Sequence, residues 1–289
     1  MQRAEGLGLP WEAEMKELRA HDQWSTLLAE WSNPAVVYPA YYEKRFHAYP
    51  QGNLCWDAAM EVAMAARSVH APVMDPENKL LDPEGDSNMR RAYHVKTREC
   101  MVDLGAIREI KDVVDLGCAT GLSSLAILES FPGAQVTGVD LSPHFLAVGQ
   151  YDQQKRMAQP GACPEPLTFL HASAEHTGLP DACCDLVSVC LVCHELPESA
   201  SRAVFQEAHR LLRPGGCLAV MEMNPASPAF QRIFDNPFAF AAFKSTEPWL
   251  ESYMAMDMHG ALRDAGFVQS TQKSNTPKHR SVVALKAAH

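Results

Sequence analysis

One run constrains this 289-residue chain more than any other: Val113-Val114-Asp115-Leu116-Gly117-Cys118-Ala119-Thr120-Gly121-Leu122-Ser123-Ser124. It reads as a buried strand closed by an acid, a turn with two glycines four apart, and a helix start. Glycine lets a backbone pass close to a ligand where a Cβ would collide. A helix opening near Gly121 points its free N–H groups back into the turn. That arrangement belongs at the carboxyl end of a strand in an open α/β sheet, where such sheets bind nucleotides.

From Lys111 the chain keeps to this pattern. Apolar strands are expected at Val113 to Leu116, Val136 to Val139, Leu167 to Leu170, Asp185 to Val192 and Leu218 to Met221, then near Val268 and from Ser281 to Leu285. Helical stretches separate them. One has Pro143 in its first turn, where a missing N–H costs nothing; another stops at Arg213-Pro214-Gly215-Gly216. Alternation with short turns predicts a doubly wound parallel sheet with right-handed crossovers. Residues 225–258 interrupt it with a Phe-rich insertion holding Phe230, Phe234, Phe238, Phe240 and Phe243. Upstream, Trp11, Met15, Leu18, Trp24, Leu27 and Trp31 recur at helical spacing. A proline- and aromatic-rich break with Tyr41, Tyr42, Phe46, His47 and Tyr49 follows, then helices from about Asn53 or Asp57 to Val69 and from about Ser87 to Gly105. The expected organisation is a helical N-terminal extension, residues 1–107, acting as a cap on an α/β core of residues 108–289.

Composition removes several function classes. With 35 acidic against 25 basic side chains the formal charge is −10, and no Lys/Arg cluster appears. This argues against nucleic acid or an anionic membrane as partner. No run approaches 18 apolar residues, so no transmembrane segment is expected. Nine cysteines, scattered, suit free thiols in a reducing compartment. Cys183, Cys184, Cys190 and Cys193 invite a zinc reading, but their placement along a strand sends side chains to different faces, and no metal site is expected. The first residues, Met1 to Gly6, carry early acids and no signal-type pattern.

The ligand of the opening turn can be narrowed by elimination. A phosphate-cradling loop needs Gly-Lys-Ser/Thr, and there is no lysine. A dinucleotide fingerprint needs three glycines at fixed spacing, and only Gly117 and Gly121 are present, which argues against a nicotinamide-dependent oxidoreductase. A second acid, Asp140, closes the next strand 25 positions later, where a carboxylate can accept from both ribose hydroxyls. Asp115 would repel a pyrophosphate but welcome an ammonium group. Ribose plus positive charge without phosphate describes S-adenosylmethionine.

Residues 108–289 resemble the class I S-adenosylmethionine-dependent methyltransferases. The resemblance rests on four blocks in order: Val113 to Gly121; Val136 to Pro143; Ala172-Ser173-Ala174-Glu175 with Leu179-Pro180 and Cys184 to Val187; and Leu211 to Gly216. It implies a seven-stranded, Rossmann-like sheet with an antiparallel last strand. It implies further that Asp115 and the turn Gly117, Cys118, Ala119 and Gly121 hold the methionyl part of the cofactor, that Asp140 takes the ribose, and that Leu141, Ser173, Ala174 and Glu175 line the adenine pocket. Cys190, in the fourth strand, is counted with them. Two departures stand out: Ala119 where the family has glycine, and Ser173 where it has an acid.

A sulfonium methyl is already electrophilic, so catalysis is largely positioning and exclusion of water. A base matters when the acceptor is a phenol, thiol or acidic carbon. Cys193-His194-Glu195-Leu196-Pro197 follows the fourth strand, and His194 has the pKa range for that task, while Glu195 reads as a structural or helix-start acid. The aromatic break and the Phe-rich insertion are expected to close the acceptor site, with Tyr42, His47 and Trp56 as contact candidates and Tyr42 and His47 as further catalytic candidates. The function expected is methyl transfer to oxygen, carbon or sulfur of a small, apolar or aromatic acceptor, in the style of quinone and sterol methyltransferases. The competing reading is a non-catalytic binding or scaffold protein on the same fold. The expected location is the cytoplasm, or a plastid stroma if the chain is a processed plant or algal protein; Tyr41 to Ala66 loosely resembles the N-terminal extension of such proteins.

Overall fold

In the computed structural model, which describes residues 2–47, 49–106 and 109–288, all seven strands expected downstream of Lys111 form. Five helices come first: α1 (Gln2–Gly6), α2 (Trp11–Ala20), α3 (Trp24–Trp31), α4 (Trp56–His70) and α5 (Gly85–Asp103). The core runs β1 (Asp112–Leu116), α6 (Leu122–Ser130), β2 (Gln135–Asp140), α7 (Pro143–Met157), β3 (Leu167–His171), β4 (Cys184–Cys190), α8 (Glu198–Leu211) and β5 (Leu212–Met223). Then come α9 (Pro228–Phe234), α10 (Pro237–Lys244), α11 (Leu250–Ala255), α12 (Met258–Asp264), β6 (Gln269–Ser274) and β7 (His279–Leu285). The boundary expected between residues 107 and 108 lies outside the described residues.

The strands lie in the order β3-β2-β1-β4-β5-β7-β6. All pairings from β3 to β5 are parallel, while β7 runs antiparallel to both β5 and β6. The central strands are apolar because helices cover both faces. On one face Val114, Leu116, Val187, Val189 and Val220 pack with α8, α12 and the Phe-rich insertion. On the other, Val113, Val136, Leu186 and Met221 pack with α5 and α6. Helix α5 lies on β5, β6 and β7, its Tyr93 hydroxyl 3.2 Å from Ser188 Oγ in β4. Each fully buried Leu, Val or Phe here contributes about 1.5–3 kcal/mol over exposure.

Two strand ends differ from expectation, and both differences shape the site. Strand β4 stops at Cys190 rather than Val192, because Leu191 turns to φ +60° and the chain enters a single 3-10 turn, Cys193–Glu195. Strand β5 begins at Leu212, before the expected Leu218, with an irregular register where Arg213 to Gly216 bulge out against β4. Its far end reaches Met223, which takes Glu222 into the sheet.

The N-terminal segment is tied across the carboxyl ends of the strands. Asn33 N donates to His171 Nδ1 (2.8 Å), Ser142 Oγ donates to Asn53 O (2.7 Å), the Tyr41 hydroxyl donates to Glu175, and His47 N donates to Thr246 O (3.3 Å). Helices α2, α3 and α4 pack on α7 through Trp24, Leu27, Met60 and Phe145. Trp56 belongs to this packing, against Trp24 and His144 at 5.1 and 4.8 Å. It is not on the wall of the cavity described next.

Candidate active site

A cavity of about 620 Å³ opens at the carboxyl ends of β1, β2 and β4, under the N-terminal segment and the insertion. Its floor is the opening turn. Gly117 has φ +75°, and a Cβ there would meet Val192 Cγ2 at 2.6 Å; Gly121 has φ +92°, with Phe169 at 3.0 Å. Ala119 also stands in the left-handed region, at φ +48°, which costs a residue with a Cβ about 1–2 kcal/mol. Glycine is thus required at Gly117 and Gly121 for conformation and space together, while Ala119 carries strain at the cavity wall.

Asp140 closes β2 and faces this floor. Its Oδ2 accepts from Ala119 N and its Oδ1 from Ser142 N, both at 2.8 Å. Burial outweighs these bonds and raises the carboxyl to about 6. An acid fixed in this way, with lone pairs left over in an apolar floor, is matched by two hydroxyl donors. Leu141, Ser173 and Ala174 continue the wall beside it, and Cys118, Ala119 and Cys190 complete it on the strand side.

Asp115 is a correction. It was expected to hold the ligand's ammonium group, but it is fully buried and not on the cavity wall. Its Oδ2 accepts from Ser123 Oγ (2.6 Å) and Ser124 Oγ (2.7 Å), so it pins the first turn of α6 from behind. Its Oδ1 is buried without a partner. Glu175 likewise leaves the wall, because its carboxylate accepts from Tyr41 and clasps the N-terminal segment. Gly121 supports the turn from beneath rather than lining the cavity.

The sequence reading missed Arg90. It lies in the middle of α5, buried, with Nε 2.8 Å from Asp86 Oδ2 and Nη1 3.3 Å from Cys190 Sγ, on the cavity wall. Asp86 is shared with His70 Nδ1 at 2.7 Å. A buried arginine on a cavity wall suits an anionic ligand group. The signal was present as Asp86 and Arg90 four apart on a helix, but such pairs are common on helix surfaces and nothing marked this one as buried.

His194, Glu195, Tyr42 and His47 do come together at the far end of the cavity. His194 Nδ1 meets both oxygens of Glu222, at 3.1 and 3.0 Å, and Glu222 is fully buried. Burial would pull the imidazole down, yet Glu222 overrides it and raises the group to about 10, so it is charged near neutral pH. His47 Nε2 meets Glu247 Oε1 at 2.8 Å, which raises that imidazole against its own burial. Tyr42 is pushed well up, by burial first and then by Asp140 and Glu195. Glu222 and Glu247 were not anticipated. Glu222 is the one acid in an otherwise apolar strand segment from Cys217 to Met223, a pattern that could have revealed it.

The roof is aromatic. Phe230 and Phe243 stack at 6.1 Å and line the cavity, while Phe234 and Phe240 pack behind them. Trp249 lies under Lys44, whose ammonium is 5.2 Å from the ring centre. Phe238 points to solvent and takes no part.

Comparison with known proteins agrees with this geometry. The sequence pattern of a family described as a methyltransferase domain matches residues 114–220. A demethylmenaquinone methyltransferase of Thermus thermophilus is 30% identical over 155 residues, which span 54% of this chain and 63% of that protein, less than two thirds of its length. One from a Geobacillus species is 27% identical over 200 residues, 63% of this chain and 82% of that protein. Among solved structures, phosphoethanolamine N-methyltransferase 2 of Haemonchus contortus, in complex with phosphomonomethylethanolamine and S-adenosylhomocysteine, superposes with a TM-score of 0.51 at 15% identity, covering 66% of this chain and 52% of that one. A sarcosine dimethylglycine methyltransferase from Galdieria sulphuraria gives 0.51 at 13% identity, over 74% and 91% of the two chains. Residues 114–220 thus match a methyltransferase domain, and the sheet shares the fold of these solved methyltransferases.

Proposed function

We propose that the protein transfers the methyl group of S-adenosylmethionine to a small hydroxylated aromatic acceptor, a quinol or phenol. The observation that carries this is a single cavity with two unlike ends. One end offers a fixed carboxylate, a glycine turn and a buried arginine; the other offers aromatic rings around two histidine–glutamate pairs. The demethylmenaquinone methyltransferases among the relatives support an aromatic acceptor.

The cofactor, when bound, supplies an electrophilic methyl group on a sulfonium. The residues fit it. Asp140 would accept from the ribose hydroxyls, with Leu141, Ser173 and Ala174 beside the adenine. Arg90 would pair with the amino-acid carboxylate, and the turn Gly117 to Thr120 would lie along the methionyl part. Tyr42, Phe230, Phe243 and Trp249 would hold the acceptor ring and keep water from the reacting centre, which in this chemistry is most of the catalytic task. Residues 41–47, Tyr49 and residues 230–249 thus act as the acceptor cap. We place the protein in a reducing compartment, the cytoplasm or a plastid stroma, a reading its nine free cysteines support. Among the described residues no helix is long and apolar enough to cross a membrane.

Incubation with methyl-labelled S-adenosylmethionine and a metabolite extract, followed by identification of labelled products, tests the reading. Label in a hydroxyarene supports it. Binding of S-adenosylhomocysteine with no labelled product would favour a scaffold that has lost transfer.

A further inference from the structure

Three glutamates lie at the acceptor end of the cavity, and two of them are already committed. Glu222 gives both oxygens to His194 Nδ1, and also accepts from the backbone N–H groups of His194 (3.2 Å) and Met223 (3.1 Å). Glu247 holds His47 through Oε1, and its Oε2 is buried. The third, Glu195, lines the cavity on the 3-10 turn after β4, and its carboxylate has no hydrogen-bond partner among the described residues. His194, beside it on that turn, spends Nδ1 on Glu222, and its Nε2 has no hydrogen-bond partner among the described residues.

We propose that Glu195 is the catalytic base that receives the acceptor's proton, and that His194, backed by Glu222, holds the acceptor oxygen as it becomes an anion. The proposal rests on the methyl-transfer reading above. His194 is the intuitive base, but a base must have a free pair. An imidazole gripped by a fully buried carboxylate is cationic, as its rise to about 10 reflects, and can donate but not accept. Glu195 has the complementary property. Burial raises it to about 7, His194 and His47 pull it down, and Glu247 and Glu222 push it up. Tyr42 also faces it. These groups come from the turn itself, the N-terminal segment, the insertion and β5, so the environment of Glu195 is set by every element that meets there. A base poised near the working pH gives the best compromise between proton affinity and availability.

The step balances for transfer to oxygen. The acceptor O–H bond breaks and its proton goes to a Glu195 oxygen. The freed pair forms the bond from oxygen to the methyl carbon, and the carbon–sulfur bond breaks with its pair remaining on sulfur, which becomes a neutral thioether. His194⁺ offsets the charge on oxygen in between.

The test uses the full chain with labelled S-adenosylmethionine and three probes: 1,4-dihydroxynaphthalene, catechol and 4-hydroxybenzoate. Calorimetry with S-adenosylhomocysteine is run in parallel on wild type, Glu195→Gln and Glu195→Asp. The expected result is an ascending limb in kcat near pH 7 for wild type. Glu195→Gln should lose that limb and fall about 10²–10⁴-fold in kcat, while its S-adenosylhomocysteine affinity stays within about twofold. Glu195→Asp should regain part of the rate with a displaced limb. A Gln variant that keeps the limb at near wild-type kcat overturns the proposal. If Glu195→Gln does not fold, an Asp variant with unchanged rate and limb overturns it equally. Wild type that binds S-adenosylhomocysteine but methylates none of the three probes removes the hydroxyarene acceptor and the base with it. Wild type that does not bind S-adenosylhomocysteine overturns the methyl-transfer reading itself.

Discussion

At the scale of single residues, the proposed reading gives the cofactor's ribose to Asp140 and its carboxylate to Arg90. Asp140→Ala should weaken S-adenosylhomocysteine binding by about 1–3 kcal/mol, the scale for losing a charged hydrogen-bond partner. Calorimetry showing unchanged affinity would remove Asp140 from the site. Because burial holds this carboxyl at about 6, wild-type affinity should also decline as pH falls through that value, since the protonated acid loses acceptor strength. Ala119 makes a prediction of opposite sign. It stands at φ +48°, so Ala119→Gly should relieve local strain and raise stability by about 0.5–1 kcal/mol, read as a higher urea midpoint at unchanged slope. The sequence reading placed Gly117, Asp140 and Leu141 together, and all three lie on the cavity wall, because their positions follow from the backbone of a strand end and its turn. Asp115 misled because an acid at a strand end looks the same whether it faces the ligand or the helix behind it. Only Ser123 and Ser124, eight and nine residues on, decide which, and their hydroxyl directions cannot be read from spacing.

At the scale of elements, period and turn chemistry recovered the sheet, because a strand buried on both faces has little freedom in what it can contain. Ser142 and Pro143 start α7 as expected, with Ser142 Oγ accepting from Phe145 N at 3.3 Å. What escaped was where strands end, and function lies at those ends. The left-handed Leu191 cuts β4 short and swings His194 and Glu195 over the cavity, while the extra length of β5 delivers Glu222 beneath them. The first is not visible in hydropathy, since Leu191 and Val192 look like two more strand residues. The insertion was legible as aromatic but not as a wall, because Phe238 and Phe243, five apart, meet solvent and cavity respectively. Trp249→Ala should therefore raise the acceptor KM by about tenfold, roughly 1.4 kcal/mol of lost contact, with cofactor affinity unchanged. Steady-state kinetics against calorimetry separates the two.

For the whole molecule, buried histidines set part of the acid response. His94, in α5 against Phe131 and Ser130, is lowered to about 3, by burial first and then by Arg98 and Arg90. It is neutral when folded, whereas the unfolded chain protonates it near its ordinary value of about 6.5. Between those values the unfolded state holds the extra proton, so this group's contribution to stability falls as pH falls. Glu195 and Asp140, both raised, act in the opposite direction over part of that range, so the comparison must be a difference. A His94→Phe variant should gain about 2 kcal/mol on wild type between pH 7 and pH 5, measured by urea unfolding at each pH. An unchanged difference would mean His94 is not buried neutral.

The contact between His47 and Glu247 joins residues 200 positions apart. Helix α5, which carries Arg90, packs on β5, β6 and β7, and the last two of these follow the insertion in the chain. Both ends of the cavity therefore depend on those strands, and the two are expected to form together when β7 joins the sheet.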